Sequence, residues 1–303
     1  MFDLVGVGHS CLDQVCVIEH YPTENDSTHI TSISVQGGGA VATACVAAAR
    51  LGVSASFIGN IGFDRISDTI CTLFNEDGVD TSAMIRRKDC FGLQSFVMTN
   101  PANGSRTKFP QRDTNPVVDW TQELTQLIKR AKVLHLDGTN WSNAYRAAEI
   151  AKDAGVLVSL DGCSMQQDNE KNKALASMAD FLIMNQKYPL RVSGKESMEE
   201  ALLEMAAWGP QLVVSTLGEA GAMAVIDGVI TPIEPYPATP IIDTTGAGDV
   251  FHGAFIAGYL DGMDVLATLR FATVVAALKC RKPGGRAGIP TKEEALSLIK
   301  NLP

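Results

Sequence analysis

Mostly apolar runs of four residues recur through the second half of the chain, and each is followed by a polar residue. Residues 133–136 run into Asp137, 157–160 into Asp161, 181–184 into Asn185 and 212–215 into Thr216. Between them, residues 120–132, 143–154, 171–179 and 197–208 space their apolar side chains as amphipathic helices do. Strands and helices in alternation predict a mainly parallel sheet with helices on both faces. In open sheets of this kind ligands bind off the carboxyl ends of the strands, where those four polar residues fall.

The first half opens with a short buried strand at 4–8. Its Gly6-x-Gly8 lacks the third glycine of a dinucleotide fingerprint, since Cys11 stands there, and no P-loop motif occurs. Asp13 follows. Alternation at 15–18 predicts an edge strand, and a polar turn at 23–28 leads to a second strand at 30–35, making a hairpin. Three glycines at 37–39 enter a helix over 40–51, kept thin by six alanines and capped by Gly52. A strand at 56–62 precedes a helix that Asp64 caps and that reaches Phe74. Strands at 91–99 and 106–109 flank a Pro101-Ala-Asn-Gly104 turn. Later come a glycine turn at 217–222 between two strands and an Ala- and Val-rich helix at 266–280.

Composition narrows the class. The chain has 303 residues, 46% hydrophobic and 19% charged, which suits one large α/β domain over 1–303. No apolar run approaches the roughly 20 residues of a membrane span, and the first residues resemble no leader peptide, so a cytoplasmic location is expected. Seven cysteines without a CxxC pair fit a reducing compartment. A net charge of −9 argues against nucleic-acid or acidic-membrane partners. The five histidines form no HExxH pair, and no Ser-His-Asp order with a nucleophile elbow appears. His252 is expected to pack or to bond a nearby loop.

The densest chemistry lies at 242–260. Asp243, Thr244 and Thr245 precede Gly246-Ala247-Gly248, and Asp249 then heads an apolar helix. Glycine permits φ > 0, the first helical amides lack internal partners, and the helix dipole adds positive charge there. Together they suit a phosphate. A carboxylate inside such a pocket points to a group that must be deprotonated beside the anion. The plainer alternative is a glycine turn and a capped helix with Asp249 as a first-turn acid.

Asp-Thr-Thr-Gly-Ala-Gly-Asp at 243–249, followed by Phe-x-Gly-Ala-Phe, resembles the C-terminal signature of the PfkB (ribokinase-like) carbohydrate kinases. The block at 37–52 resembles that family's N-terminal glycine signature. The resemblance implies a three-layer αβα sandwich with a small β lid from insertions at about 13–36 and 90–112. It also implies ATP, Mg²⁺ and a monovalent cation such as K⁺. Asp249 would be the general base, with the Gly246, Ala247 and Gly248 amides as anion hole. Asp13, Gly38, Gly39 and Thr43 would hold the sugar; Thr43 stands where the family usually carries Asn. Asn185, Thr216, Gly218 and Gly221 would lie beside the nucleotide phosphates, and Asp243 and Thr245 would bind the monovalent cation. Tyr188 replaces the acid of the family's Asn-x-x-Glu. Read without the resemblance, Asp13 is a turn-forming acid, and Arg106, Lys108 and Arg112 are a solvated strand face.

The expected reaction is ATP-dependent phosphorylation of a primary hydroxyl on a small sugar or sugar derivative. The glycine block at 37–44 and the tail, Phe-His-Gly-Ala at 251–254, Ala-Ala-Leu-Lys-Cys at 276–280 and Pro-Gly-Gly-Arg-Ala-Gly-Ile-Pro at 283–290, look most similar to the branch that includes 6-deoxy-6-sulfofructose kinase. Yet the windows around Ser27 and at 137–140 contain no Lys or Arg for an anionic handle. Two rivals stand beside this: a nucleoside kinase on the same fold, with Phe91, Phe96 or Phe109 stacking a base, and a non-catalytic sugar- or nucleotide-binding regulator. A homodimer through the exposed edges of the lid is also expected.

Overall fold

In a computed structural model of the protein, which describes residues 1–100, 105–164 and 166–299, ten strands build one large sheet. From one edge the order is Val229–Ile233, Ala222–Ile226, Leu212–Thr216, Phe181–Asn185, Leu157–Asp161, Val133–Asp137, Leu4–Val7, Ala55–Ile61 and Val79–Asp80, with Met84–Arg86 also beside Ala55–Ile61. Every pairing is parallel except those of the two strands at the first edge. Leu4–Val7 lies between strands that follow it in sequence on both sides, and this reversal opens a crevice at the carboxyl ends. The four predicted βα repeats fall within three residues of their expected ends. Helices Lys187–Ser193 and Lys292–Ile299 were not expected.

Two apolar layers hold the helices to the sheet. One gathers Val41, Ala47, Phe251, Phe255, Phe271 and Val275 beneath one face; the other gathers Leu134, Leu136, Ala147, Leu182 and Leu202 beneath the opposite face. Aromatic side chains fix the Ala247–Leu260 helix. Phe181 meets Phe255 at 5.2 Å and Tyr259 at 4.8 Å, both edge-on. Such pairs are worth about 0.5–1.5 kcal/mol beyond the area they bury. Among the described residues, no helix is long and apolar enough to cross a membrane.

A separate four-stranded sheet contains, in order, Ile30–Gly38, Cys11–Ile18, Gln94–Asn100 and Ser105–Pro110. The segment expected as an edge strand is therefore interior, bonded antiparallel on one side and parallel on the other. Alternation reports only that one face is covered; which strand lies outermost is decided by partners about 80 residues away in sequence, such as Gln94 opposite Leu12. The expected Pro101–Gly104 turn lies outside the described residues.

The helix that carries Asp249 packs unusually close to Ala40–Arg50. A Cβ on Gly253 would lie 2.2 Å from the Ala44 carbonyl oxygen and 2.7 Å from the Ala47 Cβ. This explains the alanine-rich helix opposite: only small side chains allow such an approach. Backbone cannot swing aside as a side chain does, so Gly253→Ala should destabilise the fold by about 1–3 kcal/mol. Urea unfolding measures this, and an unchanged midpoint would contradict the close packing.

Candidate active site

The loop before the Asp249 helix is folded by its own polar groups. The Asp243 carboxylate accepts from the Thr245 amide at 2.7 Å and from the Gly284 amide at 2.8 Å. Gly246 turns the chain through a left-handed φ of 74° at the N-cap, where a Cβ would crowd Gly285 at 3.0 Å. Gly248 differs from expectation. Its φ is not positive, and a Cβ there would meet nothing within 4 Å, so glycine leaves space above the helix start. The Ala247 amide donates to the Thr244 carbonyl at 3.2 Å. The Gly248 and Asp249 amides belong to the first turn, where helices offer no internal acceptor.

Asp249 is half-buried at the head of this helix. Burial, reinforced by the Asp161 carboxylate, pushes its pKa up to about 7; His252 and Lys108 oppose the rise, and Asp137 adds to it. Burial acts on Asp161 in the same upward sense, but His252, His135 and the Cys163 contact outweigh it and hold that group at about 2. The His252 Nε2 lies 3.4 Å from the Asp161 Oδ1, and the His135 ring packs tilted against His252 at 5.1 Å. Burial lowers His135 to about 3, so that ring is neutral. The Asp249 field therefore comes from a buried cluster on two neighbouring strand ends, since Asp161 and Asp137 stand opposite in register.

The residues expected around a sugar converge on the same crevice. Asp137 accepts from the His9 amide at 2.9 Å, and the His9 carbonyl lies 2.2 Å from where a Cβ on Gly39 would be. Gly38 is packed as closely by Asp13, whose Oδ2 would lie 2.2 Å from a Cβ there. Thr43 sits deeper. It is 2% exposed, and its hydroxyl faces the Arg286 Nε at 3.4 Å. Arg286 is itself buried, with Nη2 donating to the Gly38 carbonyl at 3.3 Å and Asp77 3.9 Å away.

The small sheet turns one face toward this crevice. Cross-strand pairing puts Asp13, Val15 and Val17 on the same face as Lys108 and Arg106, because side chains alternate along a strand. Arg106 reaches the anion loop, its Nη1 donating to Thr244 and Thr245 hydroxyls, both at 3.1 Å. Phe96 and Phe109 pair with each other on the opposite face, with Gln14 and Val35, and are exposed.

Beside the anion loop lies a cleft of about 720 Å³ lined by Thr216, Gly218, Gly221, Thr244, Ala247 and Gly248 together with apolar Ile241, Phe251 and Ala277. Its volume falls in the roughly 300–1,000 Å³ range of small-molecule sites. Asn185 is one strand away, opposite Thr216 in register, with its Oδ1 accepting from the Lys187 amide at 2.9 Å. Tyr188 faces the core instead, 2% exposed, with its hydroxyl donating to the Asn172 carbonyl at 3.3 Å. Both residues expected to hold a monovalent cation receive protein cations of their own. The Asp243 carbonyl accepts from the Lys279 Nζ at 2.8 Å, and Arg106 covers the Thr245 hydroxyl. Sequence reasoning missed Lys279 and the pairing of Asp161 with His252. A lysine closing an Ala- and Val-rich helix was the visible signal for the first; the second has no local signal.

Comparison with known proteins agrees with this geometry. The description "pfkB family carbohydrate kinase" matches residues 1–292. A nucleoside kinase of Methanothermobacter thermautotrophicus is 30% identical, covering 97% of this chain and 94% of its own. A ribokinase of Haemophilus influenzae is 26% identical over 98% of each chain. The solved structure of Arabidopsis thaliana ribokinase complexed with ribose and ATP superposes with a TM-score of 0.87 at 25% identity, covering 99% of both chains. Two glycine signatures, the three-layer sheet with its small companion and these similarities converge: the chain belongs to the pfkB family of carbohydrate kinases and is a sugar or nucleoside kinase.

Proposed function

We propose that the protein transfers the γ-phosphoryl group of ATP to a primary hydroxyl of a small sugar or sugar derivative, with Asp249 as general base. The observation that carries this reading is a carboxylate at a helix N-terminus that opens onto the ligand-sized cleft; burial and Asp161 push its pKa up to about 7. A base works best when its pKa lies near the working pH, and the helix start beside it favours an anion. Phosphoryl transfer asks the protein mainly for position and charge stabilisation. The acceptor oxygen bonds to phosphorus as the bond to the ADP oxygen breaks, and the alcohol proton passes to Asp249. The glycine turn meets the charge on the transferring group through the Gly248 and Asp249 amides more than through that of Ala247, which is engaged by Thr244.

The cleft lined by Thr216, Gly218 and Gly221 takes the nucleotide. Mg²⁺ travels with the triphosphate, as this ion often does, and Asn185 is the chain's nearest expected contributor. The sugar lies over Asp13, Gly38 and Gly39, beneath the small sheet acting as a lid. That sheet's outer face exposes Ile33, Val35, Phe96 and Phe109, which supports pairing of two lids in a homodimer.

A nucleoside acceptor is the second reading, favoured by the relative at 30% identity. Against it, Phe96 and Phe109 lie on the lid face turned away from Asp13 and cannot stack a base over the crevice. ADP release from ATP and Mg²⁺ against ketoses, aldoses, sugar phosphates and nucleosides separates the two. Turnover on free sugars supports the first reading, and turnover confined to nucleosides supports the second.

Asp249→Asn should fold normally and lose about 10²- to 10⁴-fold in kcat; near-normal turnover would remove the base from the mechanism. Asp249 must be ionised to accept a proton, so log kcat/KM should rise with unit slope below pH about 7 and level above it. Asp161→Asn removes a negative neighbour that raises the Asp249 pKa, so the rising limb should move to lower pH. A limb that stays in place would contradict the coupling.

A further inference from the structure

Lys279 is the last residue of the Val265–Lys279 helix and is 0% exposed. Lysine is almost never fully buried unless paired, because a buried ammonium must recover its lost hydration from nearby acceptors. Among the described residues its hydrogen bond goes to a backbone carbonyl, that of Asp243, at 2.8 Å, and no carboxylate lies within ion-pair distance. The Asp243 carboxylate is occupied elsewhere, by the amides of Thr245 and Gly284. Burial draws the Lys279 pKa down, and Cys280, Asp243 and Asp249 act to keep it charged.

Three segments meet at this ammonium. The amides of Ile242 and Asp243 both donate to the Cys280 carbonyl, which ties the anion loop to the end of the helix. On the other side, a Cβ on Gly288 would lie 2.1 Å from the Lys279 carbonyl oxygen, so the 281–290 loop presses on the same residue. Asp243 stands three positions before Gly246, whose left-handed turn sets the direction of the anion-binding amides. A positive charge on the Asp243 carbonyl thus fixes the root of the anion hole. Arg106 supplies a second cation at the Thr245 hydroxyl, 3.8 Å from the Asp243 carboxylate.

We infer that Lys279 is a built-in replacement for a monovalent cation. Its ammonium holds the carbonyl that a potassium ion would otherwise coordinate, so the anion loop is ordered without any free ion. Ammonium and potassium ions are similar in size and bind the same oxygen ligands, which makes the exchange chemically direct. Lys279 is a positioning residue: it touches neither substrate, and it acts through the Asp243–Gly246 backbone. The inference rests on the kinase reading for its catalytic measure but not for its binding measure.

The test begins with the unaltered enzyme. Affinity for a non-hydrolysable ATP analogue, measured by calorimetry in tetramethylammonium chloride and again in potassium chloride, should agree within about twofold, well below the ~5- to 150-fold of ordinary coupling between sites. Turnover on the best acceptor should be equally indifferent. A rise of about fivefold or more with potassium in either measure would overturn the inference. If no acceptor is phosphorylated, the kinase reading fails, while the calorimetric comparison still decides this one. Lys279→Ala, if folded by circular dichroism, should bind the analogue more weakly and recover affinity on adding potassium or ammonium ions but not tetramethylammonium. A folded variant with unchanged affinity, or a loss that no small cation restores, would overturn the replacement. A variant that does not fold leaves the decision to the unaltered enzyme.

Discussion

The charge of one buried carboxylate sets the proton affinity of another, and the proposed reaction depends on that coupling. Asp161 is held ionised by His252, and its fixed charge, together with burial, lifts Asp249 into the neutral range. Neither residue alone would do this. A first-turn aspartate favoured by the helix start would titrate low and accept protons poorly, whereas one that is buried with no opposing dipole would stay neutral. The strand register that puts Asp161 opposite Asp137 and the helix that brings His252 to Asp161 give Asp249 the neutral-range titration that the proposed general base requires.

Holding those elements in place is a matter of close packing. Asp249 is carried by a helix whose Gly253 touches the backbone of Ala40–Arg50 and whose aromatic side chains clasp Phe181. The three glycines at 37–39 lead directly into the Ala40–Arg50 helix, so the groups expected to hold the sugar and the group expected to deprotonate it are carried by one helix pair. The small sheet adds charge from above: Lys108 opposes the rise in the Asp249 pKa and Arg106 braces the anion loop, while the opposite face is left apolar.

Much of this could be read in the sequence because its signals are local. Periodicity located the βα repeats, polar strand ends pointed to the carboxyl edge of the sheet, and two glycine blocks located the turn before the Asp249 helix and the thin helix. What could not be read depends on distant partners. The 15–18 segment alternates as an edge strand does, and only its pairing with Gln94–Asn100 makes it interior. The two glycines of the turn look alike in sequence, but only Gly246 takes a positive φ, and Gly248 keeps space open. Thr43 was expected to face the sugar, whereas Arg286, 243 positions later, takes its hydroxyl. Lys279 was legible only as part of the Ala-Ala-Leu-Lys-Cys tail, and its contact with the Asp243 carbonyl joins residues 36 positions apart.

The central claim is spatial: one aspartate and the amides beside it embrace the atoms that react. A crystal structure with a non-hydrolysable ATP analogue, Mg²⁺ and a bound acceptor tests it most directly. The account predicts the acceptor hydroxyl within hydrogen-bond reach of Asp249, about 2.6–3.2 Å, and in line with a terminal phosphate held by the Gly248 amide. A terminal phosphate bound away from that turn, or an acceptor hydroxyl deprotonated by another side chain, would contradict it.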